Sequence, residues 1–141
     1  MSDEKKSKLI ERDKAMRIAR DEMLRLVWLH LVNIGFKAKS PGHYVREIGT
    51  ETERIGFQKH SSGRDVRVMC HVEINDPVQT VISGPWSDSY AGVDSPNGIR
   101  YHFGWSTREQ DVIRCAGEYS RFINDVILPW FASRSHPQEM A

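Results

Sequence analysis

Ionisable side chains alternate with apolar ones along residues 66–74, and this alternation marks the first candidate for a functional surface. The apolar set is Val66, Val68, Cys70, Val72 and Ile74, and the set between them is Arg67, Met69, His71 and Glu73. A period of two is typical of a β-strand with one buried face. We therefore expect the apolar set to face the core and Arg67, His71 and Glu73 to face solvent.

Histidines and arginines in flanking segments could extend this surface. Gln58 and His60 precede it, and Arg100 and His102 follow in a later alternating segment. Enzymes that act on phosphodiesters use histidine for proton transfer and arginine to stabilise developing negative charge. A small hydrolase or phosphodiesterase is therefore one hypothesis, beside a protein-binding face and a solvated polar face. The residues that the hydrolase hypothesis assigns to catalysis are His60, His71, His102, Arg67 and Arg100.

The segment from residue 83 to residue 98 is a second candidate surface. It is long and irregular, and such loops often carry function in compact domains. Its aromatic residues could anchor a protein interface or fold back onto the core, and its acidic residues would suit a basic partner. The predicted partner-binding residues are Trp86, Asp88, Tyr90, Asp94, Arg67, His71 and Glu73.

Motifs for other chemistry are missing from the sequence. It holds no GxSxG elbow, no GxxxxGK[ST] or GxGxxG loop, and no HxH, HxxxH or HExxH spacing. We therefore predict no cofactor and no metal, and an enzyme is the less favoured class. Cys70 and Cys115 belong to no ligand pattern and are expected to be buried thiols, with a disulfide between them left open.

The composition indicates one globular domain. The 141 residues are 39% hydrophobic with a net charge of +1, which argues against a nucleic-acid partner. No signal-peptide pattern and no apolar run of about 20 residues are present, so we expect a cytoplasmic protein with no membrane partner. We predict a single domain over residues 1–141, with flexible tails at 1–7 and 133–141. The oligomeric state is not predicted.

Two helical patterns enclose the strands. An apolar stripe from Met16 to Ile34 predicts a long helix that ends at Gly35. Ser106 and Glu109 have capping-box spacing before a second stripe, which is expected to end at Pro129. The predicted strands cover residues 36–39, 43–48, 55–60, 66–74, 78–82 and 99–105. The fold class is α+β: a four- to five-stranded antiparallel sheet with the N-terminal and C-terminal helices packed on one face.

Three short motifs resemble a bacterial family. Gly35-Phe36-Lys37 closes the first helix, Gly56-Phe57-Gln58-Lys59 lies in the strand before the alternating one, and Leu128-Pro129-Trp130 ends the last helix. In this order the chain resembles the domain-of-unknown-function 4304 family over about residues 24–131. The resemblance carries over no catalytic residues. By analogy with other small bacterial domains, it implies a non-enzymatic interaction protein of the immunity type, which binds and masks a toxin or another partner.

Overall fold

The structure is a computed structural model that describes residues 2–59, 65–75 and 79–135. The elements, in chain order, are helix α1 (Asp3–Asn33), strands β1 (Lys37–Ser40), β2 (His43–Ile48), β3 (Glu51–Lys59), β4 (Val66–Ile74) and β5 (Thr80–Ser83), a 3-10 helix (Ser87–Tyr90), helix α2 (Glu109–Phe122), a π-helical segment (Ile123–Ile127) and helix α3 (Leu128–Ser135).

The five strands form an antiparallel meander in the order β1-β2-β3-β4-β5. In β4 the side chains of Val66, Val68, Cys70 and Val72 are buried, whereas those between them are half-exposed. The register places Ile55 of β3 opposite Cys70, so the buried sides of neighbouring strands coincide. The predicted α+β fold and the two-sided character of residues 66–74 are both confirmed.

The helices cover the inner face of the sheet, which is the face that carries the β4 valines. Trp28 of α1 lies 6.0 Å from Tyr44 of β2, measured between ring centroids. Tyr119 of α2 is buried, and its hydroxyl donates to the Val66 carbonyl at 2.8 Å. Burial of apolar surface between the two layers is the main stabilising contribution to this arrangement.

The end of α1 is fixed by a hydrogen-bonded turn at Gly35. The Phe36 amide donates to the Leu31 carbonyl at 3.0 Å, and the Gly35 amide donates to the Val32 carbonyl at 3.2 Å. This pair of bonds is a Schellman motif, which needs a left-handed residue, and Gly35 has a φ of 101°. The predicted helix end is therefore confirmed.

A buried ion pair joins this turn to the sheet. Glu53 of β3 is buried on the inner face, and Arg46 Nε of β2 donates to its carboxylate at 2.7 Å. Arg46 also donates to the Ile34 carbonyl at 3.1 Å and lies 4.5 Å from the centroid of the Phe36 ring. Burial raises the pKa of Glu53, and the hydrogen bond from Arg46 opposes that shift.

The predicted strand at residues 99–105 is wrong. The segment is extended, and its alternate residues Tyr101 and Trp105 are buried, but it joins no strand of the described sheet. Side chains of α2 donate hydrogen bonds to the backbone carbonyl groups that would otherwise accept from a neighbouring strand. Arg114 donates to the His102 carbonyl at 3.1 Å and to the Gly104 carbonyl at 2.5 Å, and Cys115 donates to the carbonyl between them at 3.3 Å.

Both predicted boundaries of the second helix also differ. The Ser106 amide donates to the carboxylate of Asp111 at 2.6 Å, so Glu109 does not form the expected capping box. At the other end, Pro129 does not stop the helix. The turn before it widens into the π-helical segment, where the Leu128 amide donates to the Ile123 carbonyl five residues back, and the chain stays helical to Ser135.

We predict that Gly84→Ala destabilises the fold. A Cβ atom at Gly84 would lie 2.7 Å from Cys70 Sγ and 2.7 Å from the Trp130 ring, so the core would be overpacked. The free energy of unfolding should fall by about 1–3 kcal/mol in urea titration. Gly117→Ala is the matched control, because its Cβ would meet nothing within 4 Å in helix α2 and should stabilise by about 1 kcal/mol. Equal effects from the two substitutions would contradict this packing.

We also predict that Arg46→Ala lowers the free energy of unfolding by about 3 kcal/mol, because it leaves the Glu53 carboxylate buried without its partner. The double variant Arg46→Met/Glu53→Leu should regain part of this lost stability, since it removes both charges of the pair from the inner face of the sheet. Lys8→Ala removes an exposed ion pair with Glu4 and should change stability little in the same titration. If Lys8→Ala lowered the free energy of unfolding as much as Arg46→Ala does, burial of the Arg46–Glu53 pair would not be the cause of the effect.

Candidate functional site

The outer face of the sheet, opposite the helices, carries a cluster of half-buried polar side chains. The register places Arg54 of β3 opposite His71 of β4, and Thr52 opposite Glu73. These residues alternate with the buried ones, so they share the outer face. His43 of β2 is opposite Gly56 and joins the same surface. Long-range strand pairing thus brings together two histidines, an arginine and a glutamate.

Glu73 is the centre of this cluster. Its carboxylate lies 2.7 Å from Arg54 Nε and 3.6 Å from His71 Nε2, and it accepts a hydrogen bond from Gln79 at 3.3 Å. Burial acts to raise the pKa of Glu73, but the hydrogen bond and charge of Arg54, with smaller contributions from Gln79 and His71, lower it below its ordinary value. The Arg54–Glu73 pair is therefore ionised at neutral pH, and its two charges offset each other.

His43 lies on the other side of Arg54, whose Nη1 is 3.4 Å from His43 Nε2. Burial lowers the pKa of His43, and the positive charges of Arg54, His71 and Lys39 lower it further, against a small opposing effect of Glu73. His43 is consequently neutral at pH 7, and its ring can present both apolar surface and a hydrogen-bonding nitrogen.

A groove of about 410 Å³ opens beside these histidines. Its lining includes His43, Gly56, Met69, His71, Ser83 and Trp86. Gly56 forms part of the floor, where a Cβ atom would meet nothing within 4 Å. The groove has the size of one or two large side chains and combines apolar groups with two imidazole rings.

Trp86 forms one wall of the groove and is 43% exposed. The guanidinium of Arg67 lies 5.1 Å from the centroid of the Trp86 ring, and Arg67 Nη2 is 2.7 Å from the Asp88 carboxylate. Arg67 thus links the tryptophan to the 3-10 helix through a cation–π contact and an ion pair. The three side chains form a connected set beside the outer face.

Backbone contacts hold the segment that carries Trp86 against β4. The Gly84 amide donates to the Cys70 carbonyl at 2.9 Å, which continues the β4–β5 pairing beyond Ser83. Ser87 is buried, and its hydroxyl accepts a hydrogen bond from the Val68 amide at 2.9 Å. A side-chain oxygen therefore satisfies a strand amide here, and Trp86 is fixed between two anchored residues.

The structure brings together most of the residues predicted to bind a partner. Arg67 contacts both Trp86 and Asp88, and His71 and Glu73 lie on the outer face beside them. The remaining two are placed differently. Tyr90 packs against Phe122 at 5.2 Å and Tyr101 at 6.3 Å between ring centroids, so it has folded back onto the core. Asp94 is exposed in a turn after the 3-10 helix.

The residues of the hydrolase hypothesis are divided between surfaces. Arg67 and His71 lie on the outer face, and His60 is outside the described residues. Arg100 and His102 lie on the extended segment beside α2, where they line a separate cavity of about 760 Å³. The prediction that these two share the sheet face with Arg67 and His71 is wrong, because residues 99–105 are not part of the sheet.

Two members of the outer cluster, His43 and Arg54, were not among the predicted site residues. His43 lies in the predicted strand 43–48, whereas Arg54 lies one residue before the predicted strand 55–60 and belongs to β3 because that strand begins at Glu51. Their proximity to His71 depends on the pairing of three strands, which no local spacing encodes.

The cysteines take no part in this surface. Cys70 and Cys115 are buried and free, and each thiol donates to a backbone carbonyl at 3.3 Å. Burial raises the pKa of both to about 12, so neither forms a thiolate near neutral pH. Within residues 2–59, 65–75 and 79–135, no three His, Cys, Asp or Glu residues are grouped as metal ligands. Over the same residues, no helix is long and apolar enough to cross a membrane.

We predict that His43 titrates below its ordinary pKa of 6.5 in an NMR pH titration. The unfolded chain then takes up a proton at a higher pH than the folded chain, so stability falls as the pH falls below about 6.5. Arg54→Gln should raise the pKa of His43 only part of the way, because burial remains. Arg67→Gln is the control and should leave it unchanged. Titration of His43 at or above 6.5 would contradict the described environment.

Similarity to known proteins adds nothing to this description. Comparison of the chain with family models, with curated proteins and with solved structures finds no match. The resemblance to the domain-of-unknown-function 4304 family stays a prediction.

Proposed function

We propose that this chain is a non-enzymatic protein-binding domain whose contact surface consists of Trp86, Arg67 and the groove beside them. The observation that carries the proposal is the exposure of Trp86, 43%, on a segment that is anchored to β4 on both sides of it. A large aromatic side chain held in a fixed, half-exposed position loses little conformational freedom on binding.

The residue types at this surface support binding more than catalysis. Tryptophan and arginine are the residues most enriched among those that dominate binding energy at protein interfaces. Arg67 here orders Trp86 and is itself ordered by Asp88. Catalysis would need a nucleophile or a general base aimed at a reacting group. Of the two histidines assigned to catalysis that the structure describes, His71 lies on the outer face, and its Nε2 is 3.6 Å from the Glu73 carboxylate.

The charges of the surface favour a partner with an apolar or aromatic group at its contact point. Asp88 is paired with Arg67, and Glu73 is paired with Arg54, so neither carboxylate attracts a basic partner strongly. The groove offers Met69 and Trp86 together with the neutral His43 ring. A protruding side chain of the partner would fill the groove, and the paired charges would form the polar rim around it.

An immunity role is the finer form of this proposal. The bacterial family that the chain resembles by its motifs favours a toxin as the partner, which the chain would bind and mask. Cytoplasmic residence belongs to the same proposal, and the free cysteines support a reducing compartment. In this role the outer face would cover the toxin's active surface, and no reaction would be required of the chain itself.

We predict that Trp86→Ala weakens binding of the partner by about 30-fold or more, which corresponds to an interface residue that dominates the affinity. The chain is co-expressed with the products of its neighbouring genes, and the affinity of any complex is measured by calorimetry. Val93→Ala removes an exposed apolar side chain from the same long segment and is the matched control. If the partner is a toxin, the wild-type chain restores growth of cells that express it and Trp86→Ala does not.

Two outcomes would overturn the proposal. One is that the folded wild-type chain binds none of these products, and the other is that Trp86→Ala binds as tightly as the Val93→Ala control. Thermal unfolding of each variant separates loss of contact from loss of fold, because Trp86 is not part of the buried core.

A further inference from the structure

One side of helix α1 leaves apolar side chains in solvent. Ile18 is 61% exposed, Leu29 is 49% exposed and Val32 is 53% exposed. With 3.6 residues per turn, these positions lie on one face, opposite the face that carries the buried Val27. Glu22 and Arg25 lie between them on the same face and form an ion pair at 2.6 Å. The pattern is apolar at both ends and charged in the middle.

This face is self-complementary when a second copy is laid against it in the opposite direction. With a two-fold axis at the midpoint between residues 23 and 24, Ile18 of one copy lies opposite Leu29 of the other. The same axis places Glu22 opposite Arg25 and Ala15 opposite Val32. Apolar residues therefore meet apolar residues, and each charge meets its opposite. A two-fold interface requires such matching of one surface with itself.

The exposed face of α1 also has a groove beside Ile18, where this register places Leu29 of the second copy. A groove of about 630 Å³ lies between α1 and α2, and its lining includes Ala15, Ile18, Ala19 and Glu22 of α1. These four residues have the spacing of a hole that receives one side chain in packed antiparallel helices. Val112 and Ile113 of α2 form its other wall. The two alanines keep the groove open for an incoming leucine.

We propose that this chain forms a two-fold symmetric homodimer through antiparallel α1 helices, with Leu29 of each copy seated in the groove beside Ile18 of the other. The Glu22–Arg25 ion pairs of the two copies meet at the axis and form one network of four alternating charges. Ile113 borders the groove and is covered by the same contact.

The dimer face and the outer sheet face are on opposite sides of the domain, because α1 and α2 cover the inner face of the sheet. The dimer therefore does not rest on the proposed protein-binding function. Trp86→Ala should dimerise like the wild type, and a failure of one proposal leaves the other intact.

The test is sedimentation velocity over a range of concentrations. The wild-type chain should sediment as a species of twice 16.3 kDa. Glu22→Arg places four arginines at the axis, and Arg25→Glu places four glutamates there, so each variant alone should be a monomer. An equal mixture of the two variants should restore the dimer, because opposite charges then meet again. Glu47→Arg, on an exposed end of β2, is the control and should dimerise normally.

Cysteine substitutions test the direction of the helices. A mixture of Ile18→Cys and Leu29→Cys should form a disulfide-linked pair under mild oxidation, whereas Ile18→Cys alone should not link to itself. The native cysteines are buried and should not interfere. A wild-type chain that stays monomeric, charge variants that still dimerise alone, or a mixture that fails to restore the dimer would each overturn the proposal. Self-linking of Ile18→Cys would also overturn it.

Discussion

The contact of Arg46 with Glu53 sets the position of the first helix on the sheet. A carboxylate on the buried side of a sheet is costly to desolvate, and here it is tolerated because the guanidinium beside it satisfies one oxygen directly. The same guanidinium binds the last turn of α1 through the Ile34 carbonyl and covers the Phe36 ring. Strand β2, strand β3 and the helix end therefore meet at one side chain. This junction directs α1 across the inner face and leaves the outer face uncovered by any described element.

The sheet carries a second arginine–glutamate pair on its other side, and the two pairs differ in their surroundings. Burial dominates at Glu53 and raises its pKa, whereas the combined hydrogen bonds and charges at Glu73 lower its pKa. The inner pair orders the fold. The outer pair orders the walls of an open groove, since Arg54 also approaches His43. Glu53 and Arg54 are adjacent in β3, so their side chains lie on opposite faces of the sheet, as the period of two in a strand requires.

Local periodicity was sufficient to predict the sheet and the helices, because residues 66–74 and the stripe of α1 each show one period. Periodicity gave a wrong prediction at residues 99–105. There the same period of two arises because an extended segment packs one side against helix α2 and exposes the other side to solvent. Nothing near these residues shows that Arg114 and Cys115 will take their carbonyl groups. Only part of the candidate site could be predicted, because its contacts also join residues that are distant in sequence. The types of Trp86 and Arg67 marked them, but their contact depends on the bond between Ser87 and Val68, which are 19 residues apart.

The π-helical segment before α3 changes the phase of the last helix. A turn that closes over five residues displaces every later side chain around the helix axis relative to a regular α-helix. Before the wide turn, Tyr119 stacks on Phe103 and Phe122 meets Tyr101 edge-on, whereas Phe131, after it, lies 6.2 Å from Phe36, measured between ring centroids. The chain therefore uses one continuous helical rod to seal two different sides of its interior. Loss of a single codon within this turn would leave a more regular helix but rotate Trp130 and Phe131 out of their places, so the length of this turn is constrained.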